Sequence, residues 1–218
     1  MTPETILVEG MSSLNQFLKE LTKEKAPGPA ASFSSVHLLL AMERIADNPI
    51  GRSKLAEELR IGEGATRTLI TRLKDAGLIE TSKAGCSLTQ DGFRLLGEYQ
   101  SVIKKVRIEK NELTLTDYNY AILVKHSAQK VKTGIEQRDA AVIAGAKSAT
   151  TMVCKNGHLT FPSPSQEMNS CLKAASQIEN ILKPRENDAI VIVGSDRPEK
   201  AEYGALAAAL TLLDNSQG

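Results

Sequence analysis

Tryptophan is absent from this 218-residue chain, and phenylalanine and tyrosine supply four residues each. Its cores must therefore rest on Leu, Ile, Val and Ala, within a hydrophobic fraction of 41%. Cysteine is scarce as well. Cys86, Cys154 and Cys171 are odd in number, far apart and without a CxxC pair, which excludes a disulfide scaffold and a structural zinc site. Scattered free thiols fit a reducing compartment, and Cys86 reads as a small packing residue. Apolar runs such as Ala189–Val193 fall far short of the ~20 residues that a membrane-spanning helix needs. The opening MTPETILVEG lacks the basic-then-apolar pattern of a signal peptide. A cytoplasmic protein with no membrane segment is expected. Excess charge of one sign is also missing: 27 basic against 26 acidic residues, a net charge of +1. Residues 33–99 hold nine Lys/Arg and nine Asp/Glu, so any grip on a polyanion must come from where the charges sit.

What is present is periodicity. Leu14, Phe17, Leu18 and Leu21 form one stripe of a helix over roughly 12–24, with Ser12 or Ser13 as its cap. Two prolines flanking a glycine make Lys25–Ser32 a linker. Helices are expected over about 34–47, over 54–60 with Ser53 as cap and Glu57 at the capping-box position, and over 64–76 with Gly77 as the stop. Two short strands around Lys83-Ala84-Gly85 then make a hairpin, and Thr89 caps a helix over roughly 90–105. The second half changes character. Strands are expected at 118–124, 150–154, 158–161 and 189–193, with Asn156-Gly157 turning the middle pair. Helices are expected at 135–146, 166–182 and 198–213. The fold class is thus α+β. An N-terminal helix and linker (1–32) precedes a winged helix-turn-helix domain (33–105). A C-terminal two-layer α/β sandwich (106–218) follows, with a four-stranded sheet and helices on one face.

The helix at 64–76 sets this apart from a generic helical domain. Its wheel gathers Ala65, Leu69, Leu73 and Ala76 on one side and Gly64, Arg67, Thr68, Thr71, Lys74 and Asp75 on the other. A groove-reading helix needs a long cation to pair with guanine edges, small hydroxyls that let it sink in, and further cations for phosphates. The expected partner is double-stranded DNA. The expected contacts are Lys54, Thr66, Arg67, Thr68, Thr71, Arg72, Lys74 and Lys83.

The run Ile50-Gly51-Arg52, Leu55-Ala56-Glu57-Glu58-Leu59, Gly62–Arg67, Gly77-Leu78-Ile79 and Leu88-Thr89-Gln90-Asp91-Gly92 resembles the winged-helix domain of archaeal transcriptional regulators. The same block resembles the reader fused to archaeal CTP-dependent riboflavin kinase. Gly134–Ala141, Gly145-Ala146, Ala201-Glu202 and Gly204–Leu210 resemble the C-terminal domain of unknown function that accompanies such a winged helix. The resemblance implies a transcriptional regulator.

In the C-terminal half, Gly134 precedes a helix start, where free N–H groups attract anions, and Arg138 adds a charge. Ser195 and Asp196 end a buried strand, and Pro198 suits the first position of the next helix, with Asp196 and Glu199 as an acidic capping box. Gln137, Arg138, Asp139, Ser195 and Asp196 are therefore the candidate contacts for a small anionic ligand. The stripe Ala201, Gly204, Ala205 and Ala208 offers the plainer reading of a helix lying close on the sheet. A homodimer is expected, because a single neutral reader binds weakly and a pair on a palindrome does not. Its candidate surfaces are the 12–24 and 90–105 helices. His37, His126 and His158 show no metal spacing, and no Walker, Rossmann or HExxH motif occurs, so no catalytic residue, metal or cofactor is assigned. An enzyme with a regulatory winged-helix head, or a protein-interaction adaptor, stands as the alternative.

Overall fold

The computed structural model describes residues 14–23, 32–162 and 171–213. The expected Ser12 or Ser13 cap, residues 25–31 of the linker and residues 166–170 of the later helix lie outside the described residues. The chain divides into two compact units, one over Gly10–Ser101 and one from Val102 onward.

In the first unit, α1 (helical residues 14–22) buries Leu14, Leu18 and Leu21. Central to the unit is α2 (Ser35–Asp47), which buries Val36, Leu38, Leu39, Leu40, Ala41, Met42 and Ile45. Ser34 caps it: its hydroxyl accepts from the Val36 N–H at 3.2 Å, and the His37 Nδ1 accepts from the Ser34 N–H at 3.0 Å. Histidine thus fills the place that Glu or Gln holds in most capping boxes.

Next come α3 (Arg52–Leu59) and α4 (Glu63–Asp75). The start of α3 corrects the expectation: Gly51 is the N-cap, and Ser53 lies inside the helix, bonded to Glu63 Oε1 at 3.4 Å. The Gly51 carbonyl accepts from the Leu55 N–H, which draws Arg52 and Ser53 into the first turn. Beyond α4, Gly77 takes a positive φ of 72°, as the stop requires. The hairpin is β1 (Ile79–Ser82) paired with β2 (Gly85–Leu88). Ile50 and Cys86 exchange two backbone hydrogen bonds, at 2.9 and 3.1 Å, and tie the segment before α3 to the hairpin. Thr89 then caps α5 (Gln90–Val102) by accepting from the Gly92 N–H at 3.1 Å.

The second unit corrects two expectations. Its sheet has five strands rather than four, because the helix expected to reach residue 105 ends at Val102 and β3 (Ile103–Ile108) follows at once. The strand order is β3-β4-β7-β5-β6, all antiparallel, with β4 (Tyr118–Val124), β5 (Ser148–Lys155), β6 (His158–Thr160) and β7 (Ala189–Ser195). Asn156 and Gly157 turn the β5–β6 hairpin with φ of 53° and 78°. The second correction concerns layers. Ala121, Leu123, Met152, Cys154, Ile190 and Ile192 pack with Ala175, Ile178 and Leu182 of α7 (Leu172–Leu182). Strand alternation turns Val191, Val193 and Thr151 to the opposite face. There α6 (Ile135–Ile143) and α8 (Pro198–Leu213) lie, with Gly134 against Thr151 and Gly204 against Val193. Helices cover both faces, and every residue of β7 is buried.

The small stripe on α8 lets that close approach happen. A Cβ on Gly204 would fall 2.9 Å from Ala146 Cβ and 3.2 Å from Val193 Cγ1. Ala201, Ala205 and Ala208 are fully buried beside it. The Asp196–Glu199 capping box is not formed. Arg197 takes the capping place, its carbonyl accepting from the Ala201 N–H, while Asp196 accepts from the Ser195 hydroxyl at 3.1 Å.

Candidate nucleic-acid interface

The helix-turn-helix is α3, the turn Arg60–Gly62 and α4, and the hairpin β1–β2 is the wing. Arg60 adopts left-handed backbone (φ 56°) and sends its N–H back to the Ala56 and Glu57 carbonyls, which ends α3 abruptly. Gly62 then caps α4. Leu69 and Leu73 are fully buried and fix the rotation of α4, leaving Gly64, Arg67, Thr68, Thr71, Lys74 and Asp75 exposed. Arg67 and Thr71 sit near the middle of that exposed face.

The expected contacts separate by environment. Arg67 and Lys83 are exposed, with no hydrogen-bond or ion-pair partner among the described residues. Thr71 is exposed, and Thr68 spends its hydroxyl on the Gly64 carbonyl at 3.2 Å. Lys74 reaches Thr81 Oγ1 at 3.4 Å, from the end of α4 to the wing. Lys54 is exposed but lies 3.4 Å from Glu57 and 3.8 Å from Glu58, which moderates its field.

Thr66 and Arg72 are corrections. Thr66 is completely buried, with its hydroxyl on the Gly62 carbonyl at 3.1 Å. Arg72 is 8% exposed; its Nη1 donates to the Leu21 carbonyl at 2.6 Å and its guanidinium lies 5.1 Å from the Phe33 ring centroid. Arg72 therefore ties α4 to α1. The wheel read from the sequence put Ala65 and Ala76 on the inner side with Leu69 and Leu73; the leucines are buried, but Thr66 and Arg72 are turned inward and the two alanines are half-buried. Arg52 was missed. It opens α3 half-exposed, 4.0 Å from Glu63 at the start of α4, and the misplaced helix start hid it. Cys86 is buried and desolvation pushes its thiol up, as a packing residue requires.

The five residues expected to hold an anion do not converge. Gln137 is buried and donates to Thr211 Oγ1 at 2.9 Å, at one end of α6. Ser195 is buried beyond the other end of α6, where its hydroxyl meets the Gly145 carbonyl at 3.3 Å. Asp196 lies there too, exposed, its carboxyl pulled down by the Ser195 hydroxyl and by Lys147 and Lys200. Arg138 pairs with Asp139, its sequence neighbour, at 3.0 Å. Gln137–Asp139 lie six to eight residues before Gly145, about 9–12 Å along the axis at 1.5 Å per residue. Among the described residues no cluster of His, Cys, Asp or Glu could hold a metal ion, and no helix is long and apolar enough to cross a membrane.

Comparison with known proteins follows the same division. Residues 38–94 match the family model "PH0730-like, N-terminal domain", and residues 115–212 match "Domain of unknown function (DUF4443)". The structure of hypothetical protein PH0730 from Pyrococcus horikoshii OT3 is similar at a TM-score of 0.64 and 27% identity, over 81% of this chain and 91% of that one. A 58-residue stretch is 41% identical to the central glycolytic genes regulator of Priestia megaterium (strain DSM 319 / IMG 1521). That stretch is 27% of this chain and spans only 17% of the relative's length.

Proposed function

From a chain that joins a PH0730-like N-terminal domain to a DUF4443 domain, we infer a cytoplasmic, DNA-binding transcriptional regulator rather than an enzyme. In this reading α4 enters the major groove and the wing lies along the backbone. The observation that carries it is Arg67: a guanidinium with no partner among the described residues, near the middle of an exposed helical face, with Gly64 and the short side chains of Thr68 and Thr71 around it. A solvated cation is ordinary on a surface, but at this place on the second helix of a helix-turn-helix its fork of donors suits guanine O6 and N7. The short neighbours let the helix approach the base edges. Lys83 at the wing tip is equally unpaired and suits a phosphate, which positions the protein without reading sequence. The likeness to a stretch of a glycolytic genes regulator supports the same class.

The C-terminal unit is read as the dimerisation module. Gln137, Arg138 and Ser195 already hold partners within the protein, so a ligand clamp would first have to break them.

The test is selection of bound duplexes from a random pool, followed by affinity measurements at several salt concentrations. Arg67→Ala should weaken the selected site by about 1–3 kcal/mol and relax one base position. Lys83→Ala should weaken all sequences alike and lower the salt slope by about one. Failure of the wild type to retain any duplex would remove the reading in favour of a protein-interaction adaptor.

A further inference from the structure

The exposed face of α4 carries an acid as well as a cation. Glu63 is the first residue of the helix, and its side chain is 62% exposed. It stands one turn before Arg67, about 40° around the axis from it and about 6 Å along it, so the two share one side of the helix. Two residues at the start of α3 flank the carboxylate: the Ser53 hydroxyl donates to Oε1 at 3.4 Å, and Arg52 Nη2 lies 4.0 Å from Oε2. An acid on a surface that meets a polyanion weakens the grip on every phosphate. In the first turn of a helix it also offsets the dipole, which is the plainer use of Glu63. The dipole does not require that the acid stand on the same side as Arg67.

A carboxylate only accepts hydrogen bonds, so phosphates repel it and the amino groups of base edges attract it. In the major groove those amino groups are cytosine N4 and adenine N6. Adenine sets its N7 acceptor beside N6, and a carboxylate that approaches N6 meets that lone pair. Cytosine presents N4 with no acceptor of its own at that edge. In a helix-turn-helix the residues at the start of the second helix are the ones that reach base edges. Glu63 is in that first turn, whereas Asp75, the other acid of this face, is in the last. We propose that Glu63 reads a cytosine within two base pairs of the guanine that Arg67 reads, since about 6 Å along the helix is about two steps of 3.4 Å along a strand. This rests on the DNA reading above and carries it from a duplex to a particular base.

The test is selection of duplexes from a random pool by the full chain, with Glu63 and Arg67 varied separately. Wild type should select cytosine at a position no more than two base pairs from the one that Arg67→Ala relaxes. Glu63→Gln keeps an acceptor for the Ser53 hydroxyl, and a glutamine amide pairs with adenine N6 and N7. Its preferred base at that position should therefore change from cytosine to adenine. Glu63→Ala should show no preference there. Exchanging the cytosine of a selected site should weaken wild-type binding about tenfold and leave the affinity of Glu63→Ala unchanged. The Glu63 side chain is exposed, so circular dichroism should be the same in all three proteins. An acid that serves only the helix dipole behaves differently: both variants would bind every duplex more tightly and keep the base preferences of wild type. That result, or a selected site with no cytosine near the Arg67 guanine, overturns the assignment of Glu63 while leaving DNA reading standing. A wild type that retains no duplex removes both.

Discussion

Arg67 and Arg72 lie on the same short helix and meet opposite environments. One projects into solvent with no partner among the described residues; the other is spent on the Leu21 carbonyl and the Phe33 ring. Composition cannot tell them apart, and neither can charge counting. The partners that claim Arg72 stand far from it in sequence. His37 is a second residue whose meaning comes from its surroundings. Its Nδ1 accepts the Ser34 N–H, so the ring must be unprotonated there, and burial lowers its pKa from 6.5 to about 4. Unfolded chain then binds a proton near pH 6.5 and folded chain binds it only near pH 4, so the unfolded state carries more protons in between. The stabilisation is complete above pH 6.5 and is lost as pH falls from there towards 4. Thermal melts should show wild type losing Tm across this window. His37→Gln keeps an acceptor at the capping position without the titration, and should show a shallower loss. Equal slopes in the two proteins would rule out His37 as a source of acid sensitivity.

At the scale of elements, the entry into α5 is a closely bonded joint. Thr89 donates its hydroxyl to the Gly77 carbonyl at 2.6 Å, its N–H bonds the Leu78 carbonyl at 3.0 Å, and its Oγ1 accepts from Gly92. This one residue caps a helix and fastens it to the segment that leaves α4 and enters the wing. A Cβ on Gly92 would lie 2.1 Å from the Leu78 carbonyl oxygen, which is main chain and cannot swing aside. Alanine ordinarily gains about 1 kcal/mol over glycine inside a helix. Here that gain is opposed by displacement of a packed backbone, and overpacking of this kind costs about 1–3 kcal/mol or more. Gly92→Ala should therefore lower the urea midpoint of the protein, and an unchanged or raised midpoint would show that the joint is looser than its distances imply. By contrast Gly97, further along α5, has open space around it, and Gly97→Ala should be neutral or stabilising.

For the whole molecule, β7 is the axis of the second unit. It is paired along both edges, with β4 and β5, and all of its residues are buried. An amide that is hydrogen-bonded on an interior strand under helices on both faces exchanges only through large-scale opening. Hydrogen exchange should find its slowest amides at Ile190–Val193. Slower exchange in the edge strand β3, whose Lys104 and Arg107 are exposed, would contradict the sheet order. Such charges on an edge also discourage further strand pairing.

The sequence by itself determined what depends on neighbours in the chain. The helix-turn-helix order followed from apolar spacing, the stop at Gly77 from the need for positive φ, the β5–β6 turn from Asn156-Gly157, and the small stripe on α8 from the alanines and Gly204. The exposure of Arg67, Thr71 and Lys74 was legible for the same reason, since one helical wheel carries it. Only the tertiary structure decided the rest. Ile103–Ile108 continues an apolar pattern from α5 and becomes a strand because β4, beginning at Tyr118, presents the edge it pairs with. The helices divide between two faces because β4, β5 and β7 are apolar on both, a sign already present in the continuous run Ala189–Val193, but which helix covers which face is set by packing. Thr66 turns inward because the packing of Leu69 and Leu73 fixes the rotation of α4, while Arg72, Gln137 and Ser195 are claimed by Leu21, Thr211 and Gly145 because hydrogen bonds close over long loops once the core has brought their partners near. Local periodicity records which face of an element is apolar, but it holds no record of which distant backbone will satisfy a polar group. That choice belongs to packing.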